Sequence, residues 1–203
     1  MTDSATAPPA PRTGRRNWLA WAARGLYAAC AAAVAWPMAR FFTAPLAAEA
    51  AGPVRDRAVR LADLKPGVPR LVPITGESVD AWTRHPAVTV GRAWVVRTSP
   101  ADVAPPDVEV NAFSSVCPHA GCQVSGTVQT RPNAGAEGLI CPCHGAVFAL
   151  DGERRPKLDG GANPSPRGLD SLDTALVQDD DGLWWVEIEY KRFELGTADG
   201  SVA

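Results

Sequence analysis

Two short stretches of this 203-residue chain hold four of its five cysteines and two of its three histidines: CPHAGC at Cys117–Cys122 and CPCHG at Cys141–Gly145. Thiolates and imidazoles are the side chains that bind zinc, copper and iron, so such crowding points to a metal. Cys117-x-His119, then 21 residues, then Cys141-x-x-His144 offers two sulfurs and two nitrogens. That set suits a tetrahedral zinc. It also suits a [2Fe–2S] cluster with two thiolates on one iron and two imidazoles on the other. Zinc leaves Cys122 and Cys143 without a task. If the two loops face each other across a metal, these cysteines come close enough to bridge, and a bridge would require an oxidising compartment.

Loops of this kind need a rigid support, and the surrounding pattern predicts strands. From Leu71 onward, RLVPITGESV, PAVTVGRAWVVRT and DVEVNAFSSV alternate or cluster β-branched and aromatic residues between turn formers. Thr174–Gln178 and Leu183–Tyr190 flank Asp179–Gly182 as a hairpin, with Trp184 and Trp185 on opposite faces. With 19 prolines and 18 glycines the chain is rich in turns, which favours short strands over a helical bundle. The expected fold is mainly β and antiparallel, with both cysteine loops (115–148) carried between strands.

Ahead of this part lies a different kind of segment. WLAWAARGLYAACAAAVAWPMA, Trp18–Ala39, contains Arg24 as its one charge. Its 22 residues would span ~33 Å as a helix, enough for a hydrocarbon core. Arg24 can snorkel, Trp18, Trp21 and Trp36 suit the interfaces, and Pro37 falls at the far end. Cys30 in this run reads as packing. We expect a basic disordered N-terminus at 1–17, an anchor helix at 18–42, a tether at 43–70 and the β domain at 71–203. A cleaved signal peptide is the competing reading, since AEA at Ala48–Ala50 has the form of a cleavage site. Arg15 and Arg16 directly before the apolar run have the form of a twin-arginine export signal. Arginines flank the segment on both sides, so charge gives no orientation.

Charge excludes one class of partner. The first forty residues carry five arginines against Asp3, whereas the rest carries 15 basic and 21 acidic groups. A β domain about six units negative lacks the basic footprint that nucleic acid needs. Nor does a glycine-rich phosphate loop open any helix. His85, before Pro86, is assigned no role.

The two boxes resemble those of Rieske iron–sulfur proteins of the cytochrome bc type. GGANPSPRGL, Gly160–Leu169, is similar to the family's proline-rich loop over the cluster, and YKRFELGT, Tyr190–Thr197, to its closing segment in bacterial members. The resemblance implies that Cys117 and Cys141 ligate the buried iron, that His119 and His144 ligate the outer iron, and that Cys122 pairs with Cys143. It implies one [2Fe–2S] cluster, a cytochrome b-like subunit and a c-type cytochrome as partners, and His144 as the residue that meets quinol. The placement implied is the inner membrane of a bacterium, single-pass, with the Rieske domain on the outer, periplasmic side. Gly121 and Gly145 are expected where backbone turns sharply toward the cluster, and Pro164 in the covering loop. Between the boxes, TVQTRPNAGAEGLI is a few residues longer than usual.

The chain departs from the family at two positions. High-potential members place a serine two residues and a tyrosine four residues after the second-box histidine; here these are Ala146 and Phe148. Loss of two hydroxyl donors near the cluster lowers the expected potential and favours menaquinol as the donor. An exported Rieske subunit of a molybdenum oxidase, such as arsenite oxidase, is the alternative function. A soluble Rieske ferredoxin lacks the extra cysteine pair.

Overall fold

The computed structural model describes residues 14–47, 52–79, 83–129 and 137–202. The chain divides into two compact units, Met1–Ala50 and Ala51–Ala203. In the first, a single helix α1 spans Arg15–Ala47. Its Arg15–Thr43 portion is long and apolar enough to cross a membrane, with its side chains exposed. The helix is longer than the expected 18–42 at both ends and continues through Pro37, whose missing N–H costs one bond of the ladder without ending it. Of the N-terminus expected to be disordered at 1–17, Arg15–Asn17 are helical; residues 1–13 and the cleavage motif Ala48–Ala50 lie outside the described residues.

The second unit is built from two antiparallel sheets. Strands β1 (Val54–Arg60), β2 (Arg70–Val79), β3 (Arg84–Arg97), β4 (Val110–Ser114), β9 (Ser171–Gln178) and β10 (Trp184–Tyr190) form a six-stranded sheet in the order β1-β10-β9-β4-β3-β2. A four-stranded meander, β5 (Gly126–Val128), β6 (Gly138–Cys141), β7 (Ala146–Phe148) and β8 (Arg154–Arg155), is inserted between β4 and β9.

The large sheet curls until its edge strands approach. Thr75 donates its amide hydrogen to the Asp56 carboxylate at 2.6 Å, and the Val54 side chain packs on Gly76. Ile74, Val95, Val186 and Ile188 are fully or almost fully buried in the resulting core. The expected hairpin is present, and its tryptophans do diverge. Trp184 packs on the core, whereas the Trp185 indole donates to Asp179.

The expected tether at 43–70 is too long. β1 pairs with β10 from Val54 to Arg60, and Leu61 and Leu64 are buried. Four of the seven β1 residues are charged, so the segment reads as polar linker. Its half-buried Asp56 is satisfied across the sheet closure, a contact that only tertiary structure supplies.

Candidate metal centre

Both cysteine boxes are strand connections of similar design. The second is the β6–β7 hairpin itself: Cys141 ends β6, Ala146 begins β7, and the two pair directly. The first lies between β4 and β5, closed at its base by the Val116–Gln123 bridge and by Cys117 N–H to Cys122 carbonyl at 2.8 Å. Each box begins Cys-Pro and turns on a glycine four residues after the cysteine. Gly121 N–H donates to the Cys117 carbonyl at 2.9 Å, and Gly145 N–H to the Cys141 carbonyl at 3.1 Å. Both glycines have positive φ, +76° and +71°, a region in which any side chain is strained. The sequence expectation of sharp turns at Gly121 and Gly145 is met.

The loops face each other. Cys122 and Cys143 form a disulfide across them, with Cα atoms 6.5 Å apart and 21 residues between the two positions in sequence number. The sulfurs of Cys122, Cys141 and Cys143 lie within 4.8 Å of one another, but two of them are consumed by the disulfide. That leaves Cys117 and Cys141 as the free thiols of the site, both buried. They touch: burial pushes the Cys117 thiol up to about 11, and neighbouring Cys141 adds to the rise, while the amides of His119 and Ala120 donate to the sulfur and oppose it. Metal binding requires both sulfurs as thiolates, and a cation that takes the place of their protons offsets the cost of burying that charge.

On the outer side, the His119 and His144 rings meet edge to face with centroids 4.8 Å apart. His119 is half-buried and His144 exposed. The donor set is therefore sorted in space, with sulfurs inside and imidazoles outside. A dinuclear group with unlike ends fits this arrangement better than one tetrahedral ion does.

A model of the Rieske [2Fe–2S] domain matches residues 58–159. The menaquinol:cytochrome c reductase iron–sulfur subunit of Geobacillus thermodenitrificans is 30% identical over 148 residues, 71% of this chain and 78% of that protein. This chain belongs to the Rieske [2Fe–2S] family. The cytochrome b6-f complex iron–sulfur subunit of Gloeobacter violaceus is 29% identical over 184 residues, 89% of this chain and 88% of that protein. Among solved structures, a quaternary ammonium Rieske monooxygenase in complex with an inhibitor matches with TM-score 0.36 and 17% identity, covering 71% of this chain. The Rieske chain spans about a third of that monooxygenase's length, 32%.

Around the Rieske site, Ala146 and Phe148 are buried in a cluster that includes Cys117, Cys141, Trp94, Leu139 and Leu169. Neither side chain carries a donor. Pro164 sits half-buried in the loop after β8. Asn163 holds that loop to the site's sheet, donating through its side-chain amide to the carbonyls of Val147 at 2.6 Å and Arg155 at 2.8 Å. Its own carbonyl accepts the Ser165 amide hydrogen at 2.9 Å. Sequence reasoning passed over Asn163, although asparagine before proline in a glycine-rich loop is a turn signal. It also passed over Trp94, whose buried indole donates to the Val124 carbonyl at 2.8 Å and fixes the exit of the first box. Half of the lengthened segment between the boxes, residues 130–136, lies outside the described residues.

Proposed function

We propose that this chain is the Rieske iron–sulfur subunit of a membrane quinol:cytochrome c-type oxidoreductase, with Cys117 and Cys141 on the inner iron and His119 and His144 on the outer iron. The observation that carries the reading is the sorting of the site: two touching buried thiols, two adjacent imidazoles at the surface, and a disulfide joining their loops. The names of the two relatives, both iron–sulfur subunits of quinol-linked or cytochrome complexes, support it. When bound, the cluster supplies a one-electron acceptor beside the substrate. His144, the exposed imidazole, would present to quinol the ring nitrogen left free of iron, which can accept a hydroxyl proton once it has given up its own. Buried Cys117 and Cys141 exclude water from the inner end, while the disulfide keeps both histidines on one face. Pro164 and its loop cover the site from the side.

Helix α1 serves as a single-pass anchor in the inner membrane of a bacterium, with the β domain on the periplasmic side. Its partners are a cytochrome b-like subunit that shares the quinol site and a c-type cytochrome that receives the electron. Menaquinol is the favoured donor, in keeping with donor-free Ala146 and Phe148.

Purification of the native complex tests this directly. We expect a haem b subunit and a c-type cytochrome to co-migrate with the chain, and the reduced preparation to give the paramagnetic signal of a mixed-ligand [2Fe–2S] cluster. A molybdenum-containing subunit in their place would replace the reading with the oxidase alternative.

A further inference from the structure

We propose that Arg167 is a positioning residue for the first cysteine box, acting through the C-terminal segment 193–202 as a strap; the inference rests on the cluster assignment above. Arg167 is nine-tenths buried and its guanidinium uses all five N–H groups. Nε and Nη2 donate to the two Asp170 carboxylate oxygens at 2.7 and 2.9 Å. Nη1 donates to the carbonyl and hydroxyl oxygens of Thr197 at 2.6 and 3.0 Å. Nη2 also donates to the Glu194 carbonyl at 2.6 Å. Asp170 is in turn fixed to the large sheet, its carbonyl accepting the Ser114 amide hydrogen at 2.8 Å. A buried charge pair is a costly way to hold a segment unless every donor is satisfied. Here every donor is satisfied, and two of the three strap acceptors are backbone carbonyls.

The two residues between those anchor points, Leu195 and Gly196, are the ones that reach the metal loop. Leu195 occupies the space beside Gly121 that a side chain there would fill. Gly196 N–H donates to the Pro118 carbonyl at 2.8 Å, and its φ of +73° suits glycine. The Pro118–His119 peptide is therefore held at both ends: its oxygen accepts from Gly196, and its N–H donates to the Cys117 sulfur. A hydrogen bond accepted at the oxygen of a peptide polarises its N–H and strengthens the bond that N–H makes. The line runs from Arg167 through the strap to one peptide group, and from there to a ligand sulfur. Donors to that sulfur stabilise the more negative, reduced cluster.

The test uses the full-length, cluster-loaded protein in detergent. Arg167→Lys keeps the positive charge beside Asp170 but cannot serve Asp170 and both strap carbonyls together. A chain ending at Leu195 removes the Gly196 donor while leaving the charge pair. For both variants we expect normal cluster content and faster amide exchange at His119–Gly121, with Cys143–Gly145 unchanged. The equilibrium constant for reduction should fall three- to tenfold, equal to ~30–60 mV in midpoint potential. Wild-type exchange at His119–Gly121 together with a wild-type potential, in a variant whose segment 193–195 exchanges freely, would overturn the proposal and leave the strap a plain surface segment. Cluster loading separates the two readings: failure of the ligand assignment shows in the cluster itself, failure of this inference in a normal cluster of unaltered potential.

Discussion

The imidazole rings of His119 and His144 lie edge to face, centroids 4.8 Å apart and planes at 85°, although one belongs to a loop after β4 and the other to the β6–β7 hairpin. Neither strand pairs with the other, so the juxtaposition depends on the loops alone. The Cys122–Cys143 disulfide spans the same gap. The two rings are thus one paired set of imidazole donors suited to a metal.

Removing any of the four proposed ligands should therefore abolish the cluster rather than weaken it. Cys117→Ser, Cys141→Ser, His119→Ala and His144→Ala each leave three donors. The remaining free cysteine among the described residues is Cys30, on α1. Visible absorption and the reduced-state paramagnetic signal report the result. A normal spectrum in any one variant removes that residue from the ligand set.

The staple makes a different prediction, because it holds ligands without being one. Cys122→Ala with Cys143→Ala should still load a cluster but lose it faster on heating or chelation. Cross-linking positions 21 apart is worth about 3 kcal/mol in the chain-entropy model, a mechanism that is itself disputed. Thermal release of iron, followed by absorbance, gives the comparison. Equal release rates in double variant and wild type would show that hydrogen bonds alone set the loops.

How far the sequence carries can be judged from particular residues. The cysteine boxes were legible because metal ligands must be of certain types at close spacing, and chemistry leaves few substitutes. The β9–β10 hairpin was legible from local alternation and from Asp179, which caps its own turn through the amides of Asp181 and Leu183. β1 was not legible, because Asp56 is paid for only across the closure of the sheet. Arg167 looked like one more loop arginine in PSPRGL. Its partners Glu194 and Thr197 are 27 and 30 residues away, and no local pattern encodes such a contact. Helix α1 was underestimated at its ends: the reading ran through Pro37 to residue 42, whereas the helix spans Arg15–Ala47.

Export supplies a third prediction, directed at the proposed topology. Arg15 and Arg16 open α1, where a twin-arginine signal would be read before the apolar segment enters the membrane. A domain that must receive its cluster before crossing suits a route for folded proteins. Arg15→Lys with Arg16→Lys should leave cluster-loaded protein on the cytoplasmic side, protected from protease added to spheroplasts. Degradation equal to wild type would point to another export route.

The last prediction concerns the potential. Ala146 pairs with Cys141 at the start of β7, and Phe148 is fully buried beside the cysteine pair. Both side chains therefore line the inner end of the site, yet neither can donate a hydrogen bond to sulfur. A hydroxyl in either place would favour the reduced cluster over the oxidised one, since the extra electron resides where the donor points. If each donor contributes about 1–2 kcal/mol differentially, and 1.4 kcal/mol corresponds to about 59 mV for one electron, the pair accounts for something on the order of 100 mV. The midpoint should then lie well below that of serine- and tyrosine-bearing Rieske centres, in the range that matches menaquinol better than a high-potential quinol. Space decides how the substitutions behave. Ala146→Ser adds one oxygen in a tight strand pair, so it tests the donor with little repacking. Phe148→Tyr adds its oxygen at the ring tip, where a buried hydroxyl without a partner would cost stability. Redox titration of the wild type, both single variants and the double variant should give upward steps that roughly add. Unchanged midpoints in stable, fully loaded variants would mean that backbone amides already saturate the sulfurs, and that the side chains at 146 and 148 do no more than pack.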